Sequence, residues 1–68
     1  MSKKENMEVT KRKVRYISDR LGEIGAPGEI FAHSITRYAI IDTAYDILIN
    51  NPQITLEKYI KLMDERLS

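Results

Sequence analysis

Residues 28–52 read GEIFAHSITRYAIIDTAYDILINNP, and the fold turns on how this stretch is read. From Glu29 to Asn50 it contains neither glycine nor proline, and it closes on Asn50, Asn51 and Pro52. Proline pushes the residue before it out of helical geometry, and asparagine tolerates a left-handed cap, so the closing triplet reads as a helix stop. Pro27 is acceptable in the first turn of the helix that follows it. The chain's ten isoleucines favour strands. A run of roughly twenty residues without a turn signal is nevertheless long for a strand and ordinary for a helix, and period-two alternation is missing. The reading is one helix over about residues 28–50. Its apolar residues, among them Ile30, Phe31, Ile35, Ile41 and Leu48, cover more than one stripe, and Ile40 and Ile47 widen the surface further. A helix apolar on so much of its circumference must touch neighbours on two sides, which places it at the centre.

The flanking segments have narrower patterns. Met7, Val14, Ile17, Leu21 and Ile24 fall on the a and d positions of a heptad, predicting a helix over about 7–24. Ser2 with Glu5 offers a capping box, with Asn6 and Thr10 as competing caps. Gly25 suits the left-handed residue after the helix, with Gly22 as an earlier alternative stop. Thr55 caps a further helix over 55–67, where Ile54 and Tyr59 form a hydrophobic staple and Leu56, Ile60, Met63 and Leu67 form the stripe. The expected fold class is therefore all-α, a small three-helix domain with a long central helix, homodimeric through the excess apolar surface of that helix. Residues 1–6 are expected to form a frayed basic arm.

Sixty-eight residues make one domain whose single core is near the lower limit for independent folding. No cysteine is present to form a disulfide. The lone histidine, His33, is too little for a structural zinc site, so self-association or a protein partner is the expected source of extra stability. No stretch is long and apolar enough for a membrane span or a secretory signal, from which a cytoplasmic location is expected. The net charge of +1 hides a polarised distribution. Residues 1–20 hold seven basic side chains against three acidic ones, a net +4, and residues 21–68 hold four against seven, a net −3.

No arrangement of nucleophile, base or metal ligands is visible, so no catalytic residue, metal or cofactor is assigned and the chain is not expected to be an enzyme. His33, with Glu29 and Arg37 one turn either side, reads as a solvated polar strip. Asp42 and Asp46 supply too few oxygens for a hard cation and are expected to set helix registry against Arg12, Arg15 or Arg20. A helix-turn-helix drawn over Ser18 to Tyr38 fits poorly: Glu23 stands where an apolar turn residue belongs. Two functional readings follow. The first is a non-enzymatic protein-interaction or regulatory module, with Ile40, Tyr45, Ile47, Ile49 and the off-stripe Tyr16 as interface candidates. The alternative is a small nucleic-acid-binding regulator that uses Lys11, Arg12, Lys13 and Arg15 to track phosphates.

Overall fold

A computed structural model describes the backbone of residues 3–68 and the side chains from Met7 onward. Among the described residues four helices form, rather than the expected three: α1 (Lys3–Glu23), α2 (Gly28–Ser34), α3 (Tyr38–Asn50) and α4 (Leu56–Leu67). The class is all-α, with no strand among the described residues. Of the arm expected over residues 1–6, Lys3 to Asn6 have their backbone in α1, and the Ser2–Glu5 capping box lies outside the described residues.

The correction lies inside the deciding stretch. The helix expected over 28–50 breaks at Ile35 to Arg37, where Ile35 sits at φ −120°, ψ 14° and Arg37 is extended at φ −135°, ψ 149°. Local hydrogen bonding accompanies the break without deciding it, since Thr43 makes the same bond to the Ala39 carbonyl inside the unbroken α3. Thr36 Oγ1 donates to the carbonyls of His33 (2.8 Å) and Ala32 (3.2 Å), satisfying acceptors that helix continuation would have used. Tertiary burial reinforces the break, because Ser34 is 1 % exposed and its hydroxyl meets that of Tyr59 at 2.6 Å. The excess apolar surface is also explained. With the helix divided, Ile30, Phe31 and Ile35 on one side of the break and Ile40, Ile41, Ala44, Ile47 and Leu48 on the other reach the same core.

The other boundaries follow the sequence closely. Gly25 takes φ +76°, the only positive φ among the described residues. The amides of Ala26 and Gly25 donate to the carbonyls of Leu21 (2.9 Å) and Gly22 (3.3 Å), a Schellman closure. Thr55 Oγ1 accepts from the Lys58 amide at 3.2 Å, and both staple residues, Ile54 and Tyr59, are buried. At the end of α3 the asparagines act through their side chains, not through a left-handed backbone. Asn51 Nδ2 donates to the Ile47 carbonyl at 2.7 Å and Asn50 Nδ2 to the Asp46 carbonyl at 2.9 Å.

Helices α1 and α3 run in the same direction. Lys13 pairs with Asp42, Tyr16 packs on Tyr45, and Arg20 donates to the Pro52 carbonyl, so positions advance together along both helices. The short α2 and its two linkers are the return path that a parallel pair requires. Ile17 and Leu21 from α1, Ala44 and Leu48 from α3 and Tyr59 from α4 are at most 1 % exposed and form the centre of the core.

Candidate functional site

A cleft of about 210 Å³ lies between α2 and α4. From α2 come Glu29, Ile30 and His33, which helical spacing brings to one face. From α4 come Ile60, Asp64 and Leu67, again one face over two turns, with Met63 beneath them. Ser34 and Tyr59 complete the lining, and their hydroxyl pair is buried. Burial pushes the Tyr59 phenol above the ordinary tyrosine range, and the hydrogen bond with Ser34 offsets part of that rise. Ile60 and Leu67 are 37 % and 42 % exposed although both belong to the expected core stripe of this helix. The buried face of α4 is thus rotated toward Tyr59 and Met63, which turns Ile60 and Leu67 to the cleft.

The cleft carries one sign of fixed charge. Glu29 and Asp64 both line it, no lysine or arginine does, and neither carboxylate enters an ion pair among the described residues. The neighbouring Arg66 is turned to Asp46, at 2.5 Å. Chemically the cleft suits apolar side chains accompanied by a cation. It lies below the roughly 300–1,000 Å³ of small-molecule pockets, so its size matches a few side chains of a larger partner.

The residues singled out from the sequence are placed elsewhere. Ile40 and Ile47 are core residues, 9 % and 2 % exposed, and their surface is used within the chain. Tyr16 and Tyr45 are half-buried and meet edge to face, with ring centroids 5.4 Å apart. Ile49 alone of the five interface candidates is well exposed, at 48 %. Of the four basic residues, Lys11, Arg12 and Arg15 are exposed on α1. Lys13 is held in place: its ammonium is 2.9 Å from Asp42 Oδ1 and 5.4 Å from the centroid of the Tyr45 ring. The registry expectation fails in its partners: among the described residues none of the three arginines pairs with either aspartate, Asp42 reaching the basic helix through Lys13 and Asp46 pairing with α4. Arg20 instead contacts Glu23 and the Pro52 carbonyl.

Sequence reasoning missed the cleft. His33 and Glu29 were legible as one polar strip, but nothing in the spacing set that strip opposite Ile60 and Leu67. The break at Ile35 to Arg37 does so. Among the described residues no cluster of three or more histidine and carboxylate side chains forms a metal site, and no helix is long and apolar enough to cross a membrane. The chain matches no protein-family model, no curated protein and no solved structure.

Proposed function

We propose that this chain is a non-enzymatic protein-interaction module that takes up apolar side chains of a partner in the α2–α4 cleft. One observation carries the reading: Ile60 and Leu67, large apolar residues on one face of α4, stand open beside Ile30 in a concave surface. Open, concave apolar surface flanked by polar groups is where protein partners place their anchors. The α4 wall, from Ile60 to Leu67, extends about two helical turns, the length over which an amphipathic helix presents anchors at i, i+3 or i+4, and i+7.

The test is fluorescence anisotropy of a labelled synthetic amphipathic helix built from leucine and lysine, titrated with the wild type and with Ile60→Gln. Wild-type protein binds and the variant, which removes the apolar contact and leaves the charge of the cleft unchanged, loses at least about tenfold in affinity. Equal binding by both proteins contradicts the reading.

A second reading rests on the exposed Lys11, Arg12 and Arg15, which lie within two turns of α1 and suit a phosphate backbone. On that reading, replacing all three with alanine flattens the dependence of log K on log salt by about one unit for each phosphate no longer neutralised. Absence of salt-dependent retardation of DNA or RNA by the wild type eliminates it.

A further inference from the structure

The chain itself carries a segment with the chemistry that the cleft selects. On α1, Met7, Lys11 and Arg15 follow one another at four-residue spacing and so share one face. All three are exposed, Met7 at 55 %. Met7 continues the stripe that buries Ile17 and Leu21 farther along, but α3 begins at Tyr38, in register with Val9, and does not reach back to cover it. The result is an apolar anchor with cations one and two turns away. Across the cleft the order is matched: Ile60 is the apolar contact and Asp64, one turn away, the charge, with Glu29 on the opposite wall.

Resting on the cleft as the docking surface, we infer that its occupant is α1 of a second copy of this chain, with Met7 against Ile60 and Ile30 and with Lys11 and Arg15 facing Asp64 and Glu29. Three features favour a second copy over an unrelated partner. The charge split of the sequence, net +4 over residues 1–20 and net −3 over the rest, puts the two signs on the two complementary surfaces. Neither Lys11 nor Arg15 is engaged in an ion pair among the described residues, and the same is true of Glu29 and Asp64. Methionine, unbranched and polarisable, is the apolar side chain that adapts best to a shallow, irregular cleft. Reciprocal exchange about a two-fold axis fills both clefts at once and closes the assembly.

Sedimentation equilibrium up to high micromolar concentration, at low and high salt, tests the pairing with four samples: wild type, Glu29→Lys with Asp64→Lys, Lys11→Glu with Arg15→Glu, and an equimolar mixture of the two double variants. All four substituted positions are exposed, and circular dichroism verifies that each variant keeps its helices. The wild type self-associates, more weakly at high salt. Each double variant alone sets like charges against each other and loses at least about tenfold in association constant, and the mixture recovers association because opposite charges again meet. A wild type that stays monomeric, or a mixture no more associated than its components, overturns the inference. Titrating the same wild type with the leucine–lysine helix separates the two claims. Peptide binding by a monomeric protein overturns self-occupancy and leaves the cleft reading standing, whereas absence of both removes the two together.

Discussion

The core shared by α1, α3 and α4 and the cleft between α2 and α4 are made from the same residue types and differ in what covers them. In the core, Ile17, Leu21, Ala44 and Leu48 are fully enclosed, and the register of α1 on α3 is marked by the Lys13–Asp42 pair and the Tyr16–Tyr45 contact. In the cleft, Ile30, Ile60 and Leu67 are only partly covered, and the polar link between the two walls is the hydroxyl pair of Ser34 and Tyr59. The first region places stability in many enclosed contacts. The second leaves apolar surface open, beside a seven-residue helix too short to be stable without tertiary contacts. On the proposed reading, stability and binding are therefore separable by mutation.

The largest effect is expected in the core. Leu48→Ala removes a fully buried side chain and costs about 2–5 kcal/mol, a large share of what a domain of this size has, so urea denaturation shows it partly or wholly unfolded. Ile60→Ala, at the open edge, costs less than about 1 kcal/mol in the same assay. Comparable losses at the two positions break the distinction.

Next comes the link across the cleft. Tyr59→Phe leaves the Ser34 hydroxyl buried without its partner and costs about 1–3 kcal/mol, while Tyr59→Phe with Ser34→Ala costs less than the sum of the single changes. Hydrogen exchange of the Tyr59→Phe protein is accelerated in α2 before α1 and α3 are affected. Uniform acceleration would show that α2 is not a separately opening unit.

The raised Tyr59 phenol adds a pH dependence. The unfolded chain loses this proton near pH 10, the folded chain only above that, so the folded state binds more protons in the interval between. The stabilisation is complete below about pH 10 and declines as pH rises through the folded-state value. Between pH 9 and 11 the wild type therefore loses more stability than Tyr59→Phe does. Parallel losses would place the phenol in solvent.

Of intermediate size is Gly25→Ala, at about 1 kcal/mol, because alanine is strained at φ +76° although no neighbouring atom obstructs its Cβ. The smallest effect is Asp42→Asn. The Asp42 carboxylate is well exposed in its pair with the half-buried Lys13, and equilibrium unfolding registers at most a few tenths of a kcal/mol.

Much of the fold was legible where a residue acts locally. Gly25, Thr55 and the Ile54–Tyr59 staple behave as their positions predict, because a left-handed turn, a side-chain cap and a short-range contact are each decided within about five residues. The division of residues 28–50 was not legible. Thr36 hydrogen-bonds its backbone in either conformation, and the decisive bond, Ser34 to Tyr59, joins positions 25 apart in sequence. Counting apolar residues correctly showed more surface than one helix face can bury, but the structure resolves that excess largely by breaking the helix, which brings Ile40 and Ile47 into the chain's own core. The same break opens the cleft, so the candidate site was hidden for the reason that the helix count was.

The central claim, that the cleft is the docking surface, is tested most directly by ¹H–¹⁵N correlation spectra of the labelled protein titrated with the leucine–lysine helix. The account predicts progressive shifts at Ile30, His33, Ile60, Asp64 and Leu67, with the amides of Ile17, Leu21 and Leu48 unmoved. Shifts concentrated on the outer face of α1, or none at saturating peptide, contradict it.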